Sequence, residues 1–119
     1  MKEFLELIYG LLSGIGTTSL EEAEQGAQFP YITYSLQPSI EDFQREIFIL
    51  EVNVWDNSQD TEPIEKMADD IDKLLHRYKY YKKNELQTSI YRMNRSMIPD
   101  PNPEIRRRQL MFECKTYIT

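Results

Sequence analysis

The chain has 119 residues, of which 40% are hydrophobic and 12% aromatic, and a formal net charge of −6. That length suits one modest hydrophobic core, so we expect a single domain over residues 1–119, and the apolar content argues against disorder. The acidic excess repels a phosphate backbone, which disfavours nucleic acid as a partner. A single cysteine, Cys114, excludes an internal disulfide and favours a reducing compartment.

The N-terminal segment is predicted to be a helix over about Lys2–Ser13. Its apolar residues recur at the three- and four-residue steps that line one side of a helix: Phe4, Leu5, Ile8, Leu11 and Leu12. Glu3 and Glu6 argue against a signal peptide, and the interrupted apolar run predicts no membrane span. The polar, acidic residues 17–28 are predicted to form a long loop.

Two strands are predicted next. The first covers residues 31–36, where β-branched and aromatic residues follow Pro30, and residues 37–44 are predicted to turn the chain. The second covers residues 45–55 and has the clearest period-two alternation in the sequence. The face expected to meet the core carries Phe48, Leu50, Val52 and Val54, whereas the opposite face is mixed and partly wet.

A second helix and two further strands complete the prediction. Thr61 and Pro63 resemble a cap and an early helical proline, and an apolar stripe then predicts a helix over residues 62–80. Strands are predicted at Leu86–Met97 and at residues 105–118. The order α-β-β-α-β-β favours an α+β domain with a mainly antiparallel four-stranded sheet and two helices packed on one face.

The residue types that carry catalysis are not arranged for it in the sequence. His76 has cationic neighbours, Lys73 and Arg77, instead of a carboxylate that would orient its ring. Cys114 lies on the apolar face of the last predicted strand, where burial raises the pKa of a thiol. Three helical aspartates, Asp69, Asp70 and Asp72, spread around the cylinder and are expected to form a solvated face. We therefore predict no catalytic, cofactor-binding or metal site, no cofactor and no enzymatic activity.

Trp55, at the end of the longest predicted strand, has two interpretations. It covers a sheet edge or packs under the first helix, or it anchors an interface, since Trp buries much area at low entropic cost.

The proline-rich segment near the C-terminus is the second candidate for contact with another subunit. Pro99, Pro101 and Pro103 make residues 97–104 semi-rigid, and Asp100 and Glu104 add negative charge. On the strand that follows, alternation directs Arg106 and Arg108 to one side and Arg107 to the other. Such a loop could meet the basic strand end of the next subunit, or it could be a stiff connector with surface arginines.

Three stretches carry a family resemblance: FPYITYSL at residues 29–36, REIFILEVNVWDNS at 45–58 and YRMNRSMIPDPNPEIRRRQLMF at 91–112. In order and combination they resemble the tail-terminator and tail-completion proteins of long-tailed bacteriophages and prophages. The resemblance spans residues 29–117 and does not clearly include the first helix. It implies an α/β subunit with an antiparallel sheet and flanking helices.

The function that this resemblance implies is structural. Such proteins form a ring, commonly a hexamer, that caps the head-proximal end of the tail tube, stops its growth and offers a docking surface to the head. The implied partners are the chain itself, the tail tube protein and a head connector or head-closure protein, with no nucleic acid and no membrane. The implied location is the host cytoplasm during assembly and then the virion neck. A head-closure or connector protein of the same module is the alternative, and a small hydrolase or nuclease is a third, disfavoured by the scattered carboxylates.

Overall fold

Two helices and a six-stranded sheet make up the fold in the computed structural model, which describes residues 2–23, 25–42, 45–83 and 86–118. The elements, in chain order, are α1 (Lys2–Ser13), β1 (Thr18–Leu20), β2 (Tyr31–Asp42), β3 (Arg45–Asp56), α2 (Glu62–Leu75), β4 (Lys79–Lys82), β5 (Leu86–Met97) and β6 (Arg106–Ile118). The strand order across the sheet is β1-β2-β3-β6-β5-β4. β1 is parallel to β2, and every other neighbouring pair is antiparallel.

The predicted four-stranded antiparallel sheet is wrong, because two short edge strands extend it and one of them is parallel to its neighbour. β1 lies inside the segment predicted to be a loop, where Ile32 N donates to Thr17 O and Glu21 N donates to Tyr34 O. β4 occupies the end of the second predicted helix. That helix stops at Leu75, since His76 has an extended backbone and Arg77 a left-handed one with φ 68°.

The turn predicted at residues 37–44 is also misplaced. β2 continues to Asp42 and pairs with β3, with a register shift between Pro38 and Ile40. A proline is tolerated there because β1 pairs only with residues 32–34 of β2, so no strand in the described part of the chain needs the missing N–H of Pro38 on its other side. Residues 43 and 44 of the predicted turn, and residue 24 of the predicted loop, lie outside the described residues.

The core lies between the two helices and one face of the sheet. The predicted core face of β3 is confirmed: its four apolar side chains are fully buried. The helices contribute Phe4, Ile8 and Leu12 from α1 and Ile64, Ala68, Ile71 and Leu75 from α2, all with no exposed surface. Phe4 stacks on Phe48 with 5.9 Å between the ring centroids. No described helix has the length and apolar character needed to cross a membrane.

No helix among the described residues packs on the opposite face of the sheet, and we call it the open face. It includes Trp55, Arg107 and Met111, all partly buried by their neighbours on the same face. Whatever binds this face meets a mixed polar and apolar surface.

Candidate interaction surface at the proline loop

The loop between β5 and β6, residues 98–105, is ordered by its own hydrogen bonds. Asp100 Oδ1 accepts from Asn102 N at 2.9 Å, and Asn102 Oδ1 accepts from Glu104 N at 2.9 Å. Ile105 N donates to Asn102 O at 3.1 Å. These turns, together with the prolines, fix the loop before any partner arrives, so contact through it costs little ordering entropy.

A cavity of about 210 Å³ lies between this loop and the start of β6. Its lining is formed by Met97, Ile98, Pro99, Asp100, Pro103, Ile105 and Arg106 to Arg108. Pockets for small-molecule ligands usually measure about 300–1,000 Å³, so this cavity is better matched to one side chain.

The three consecutive arginines at the start of β6 have three different roles. Arg106 and Arg108 lie on the helix side and Arg107 on the open face, which confirms the alternation predicted from the sequence. Arg106 donates from Nε to Ser58 O at 3.0 Å and from Nη2 to Gln59 O at 3.3 Å, so it ties down the loop before α2.

Arg108 is held inside the chain. Its side chain is only 11% exposed, and its Nε pairs with Glu65 Oε1 on α2. The Arg108 hydrogen bond lowers the pKa of the Glu65 carboxyl, against an opposing effect of burial. A contact of Arg106 or Arg108 with another subunit stays a prediction. Replacing Arg108 with Glu would place two carboxylates together, so it would also disturb the fold.

Further along α2, carboxylates face a row of strand arginines that sequence reasoning missed. Arg95 reaches both Asp69 Oδ1 and Glu65 Oε2 at 2.6 Å, and Arg92 Nη1 lies 2.5 Å from Asp72 Oδ2. The prediction of a purely solvated aspartate face therefore missed three ion pairs, since Asp70 also pairs with Lys66 at 2.8 Å. The i, i+4, i+7 spacing of the three acids was the available signal. Within the described ranges no three His, Cys, Asp or Glu side chains are grouped to hold a metal ion.

A β-bulge makes this arrangement possible. The β5–β6 register shifts between Arg92 and Asn94, so that Arg92 faces Phe112 and Arg95 faces Leu110, both core-side positions of β6. Strict alternation from residue 92 would have turned residue 95 to the open face. The bulge therefore directs both arginines towards α2.

Trp55 belongs to a stack of aromatic rings on the open face, next to the proline loop. Its indole Nε1 donates to Thr33 Oγ1 at 3.1 Å, and the Arg107 guanidinium carbon lies 4.7 Å from its ring centroid. Tyr31 stacks on Trp55 at 6.2 Å, and Phe29 stacks on Tyr31 at 5.1 Å. Trp55 thus does not pack under α1, and its role as an interface anchor stays a prediction.

Electrostatics connect this stack to the loop. Burial, and secondarily the negative charge of Asp100, raise the pKa of Tyr31. Asp100 is half-buried beside the cavity, whereas Glu104 is exposed. Four of the five predicted interface residues therefore lie at the same end of the sheet: Trp55, Asp100, Glu104 and Arg106. The fifth, Arg108, faces α2.

The two classical catalytic residue types have structural contacts. His76 Nδ1 accepts a hydrogen bond from Arg92 N at 3.0 Å, and its ring meets Tyr91 edge-on at 6.4 Å. Cys114 is fully buried, and burial, with the nearby charge of Glu113, raises the pKa of its thiol to about 12. The predicted position of Cys114 on the apolar face of the last strand is confirmed, and a thiol whose pKa is raised is a poor nucleophile near neutral pH.

Comparison with solved structures shows a likeness of fold. No protein-family model matches the chain, and no curated protein matches its sequence. The fold is similar to that of a chain in the structure described as the virion of a native gene transfer agent particle, with a TM-score of 0.67. The alignment covers 90% of this chain and 84% of that chain at 12% sequence identity. The likeness shows a shared fold.

Proposed function

We propose that the chain is a non-enzymatic structural subunit of a phage-like virion, which caps the head-proximal end of the tail tube as a ring. The likeness to a virion chain carries this proposal, because it covers 90% of this chain and 84% of that one. A match of that extent involves the whole architecture instead of one common supersecondary motif. The sequence resemblance over residues 29–117 adds the tail-terminator role.

The chemistry of the described residues is compatible with a structural role. His76 and Cys114 are engaged by backbone and core contacts, and Glu65, Asp69 and Asp72 of α2 are paired with arginines. The loop at residues 98–105 is ordered by its own bonds and stands beside a cavity of about 210 Å³, as suits a contact with a tube protein or a head connector. The proposed location is the neck of the particle.

Electron microscopy of particles made with and without this chain tests the proposal. A missing cap leaves the growing tube end open, so we expect tails of broadly distributed and greater length, without heads, and recovery when the chain is supplied in trans. Tails of parental length beside unattached heads would instead indicate the head-closure or connector alternative. Normal, joined particles in the absence of the chain would refute both assignments.

A further inference from the structure

The two edges of the sheet are stepped. At one edge β1 covers only residues 32–34 of β2, which leaves residues 35–42 without a described neighbour on that side. At the other edge β4 pairs with residues 86–89 of β5, residues 77 and 78 hydrogen-bond Ile90, and His76 accepts from Arg92 N; the segment up to Met97 continues past them. Each edge therefore has one short projecting strand and one recessed stretch of long strand.

The steps at the two edges are complementary in height. Leu20 of β1 lies level with Tyr34, and the register across β3 and β6 places Tyr34 level with Arg95, in the recessed part of β5. Lys79 of β4 lies level with Ser89, and the register across β6 and β3 places Ser89 level with Ile40, in the recessed part of β2. The projection of each edge thus matches the recess of the other.

The strand directions permit the two edges of successive copies to join. β1 is parallel to β2, and four antiparallel steps lead from β2 to β4, so β1 and β4 run the same way. In a ring with its axis along the strands, β4 of one copy would lie parallel to β2 of the next, and β1 antiparallel to β5. Unpaired backbone groups at strand edges are ready partners for such pairing.

The charges at the two edges favour head-to-tail joining of unlike edges over two-fold joining of like edges. The exposed residues after β1 are Glu21 and Glu22, whereas Arg77, Lys79 and Lys83 are exposed around β4. Joining like edges about a two-fold axis would bring acid to acid or base to base. Joining unlike edges brings acid to base, and head-to-tail contacts of this kind close into rings.

We infer that a second copy of this chain binds edge to edge, with the β4 edge of one copy inserted beside β2 and against the Glu21–Glu22 segment of the next. β1 ends at the height of Tyr34 and β4 begins at that of Ile40, so Glu21–Glu22, which follow β1, and Arg77, which precedes β4, would meet in the interval between these heights. Leu20, 46% exposed, and Tyr81, 68% exposed, supply apolar surface at the two edges. The inference rests on the proposed ring and names the surfaces that build it.

Charge-reversal variants with a mixing experiment test the inference. Variant A carries Glu21→Lys and Glu22→Lys, and variant B carries Arg77→Glu and Lys79→Glu. Each variant alone has two edges of one sign, so at low salt we expect its apparent association constant, measured by light scattering with cross-linking, to fall at least about tenfold. In an equimolar mixture every A–B junction is again acid to base, so assembly should return to the parental level.

Matched controls and contrary outcomes make the test decisive. Glu62→Lys with Lys73→Glu reverses two exposed charges on α2, neither of them on an edge strand, and should assemble as the parent does. Circular dichroism confirms that each variant is folded. Parental assembly of A or B alone, a mixture that stays dissociated, or a parent that remains monomeric at all concentrations would overturn the inference. Tail lengths in a complementation assay distinguish the edge assignment from the capping function. If folded A and B assemble as the parent does and cap tails normally, the edge assignment fails while the capping function stands.

Discussion

Arg108 offers the sharpest test of the packing between α2 and the sheet. Its guanidinium pairs with Glu65, and its side chain is 11% exposed. Arg108→Met keeps the aliphatic stem and removes the charge. A hydrogen bond between charged groups contributes about 1.5–3 kcal/mol to folding. Because Glu65 is 42% exposed and keeps Arg95 at 2.6 Å, we discount this to about 1–2 kcal/mol.

The neighbouring arginines are internal controls. Arg108→Ala also removes buried methylenes, at about 0.8 kcal/mol each, so we expect a total loss of about 2–4 kcal/mol. Arg106→Met loses only hydrogen bonds to loop carbonyls, which we put at about 0.5–1 kcal/mol. Urea denaturation at neutral pH gives these values as shifts of the midpoint at constant slope.

The Arg108 effect has a defined pH dependence. Arg108 holds the pKa of Glu65 below its ordinary 4.5, so the pair contributes fully above about pH 4.5 and its contribution disappears as the pH falls through the pKa in the folded state. The difference in unfolding free energy between parent and Arg108→Met should therefore shrink on acidification. A difference below about 0.5 kcal/mol at neutral pH, or an Arg106→Met variant that is the less stable of the two, would refute the reasoning.

Two further predictions concern the thiol and the bulge. With its pKa raised from 9.0 to about 12, Cys114 should react with a maleimide at pH 8 roughly a thousandfold more slowly in the native protein than in urea, and equal rates would show that it is not buried. The bulge directs Arg95 at Glu65 and Asp69, so Arg95→Met should lower the unfolding free energy by about 1–2 kcal/mol, whereas Met93→Ala, at a position 52% exposed, should cost under about 0.5 kcal/mol. Equal stabilities of these two variants would contradict the role of the bulge in placing Arg95.

Local periodicity made part of the fold predictable. The bounds of α1 and β5, Lys2–Ser13 and Leu86–Met97, agree with the prediction, and the alternation over residues 45–55 identified the core face of β3. These features depend on side chains repeating within one element. The sequence therefore contains them without reference to the rest of the chain.

The edge strands could not be predicted in the same way. β1 has three residues and is defined by hydrogen bonds that residues 17 and 21 make with β2, far along the chain. β4 follows α2 so closely that Tyr78 continued the apolar pattern of the helix. Tyr78 and Tyr80 do pack against the core, but Tyr80 does so from β4 and Tyr78 from the segment just before it, instead of from the helix. The same residues satisfy both patterns, and only the tertiary structure distinguishes them.

Part of the candidate surface was predictable from the sequence, and part depended on tertiary structure. Alternation placed Arg106 and Arg108 on one side and Arg107 on the other, yet nothing local indicated that Glu65, far along the chain, would pair with Arg108. The bulge at residues 92–94 was equally invisible, and with it the turn of Arg95 towards α2. Non-local ion pairs and bulges depend on register, which the sequence pattern leaves open at this position.

The bulge also links the internal packing to the edge proposed for self-association. It commits Arg92 and Arg95 to α2, whereas the side chains of Met93 at the bulge and Met97 at the end of β5 remain exposed. Bulges and charges are the devices by which open strand edges avoid indiscriminate pairing. In a chain of net charge −6, copies repel one another at long range, and in the proposed assembly the meeting of the basic β4 edge with the acidic β1 edge offsets this repulsion. That combination suits a subunit that must remain separate until it is assembled in one orientation.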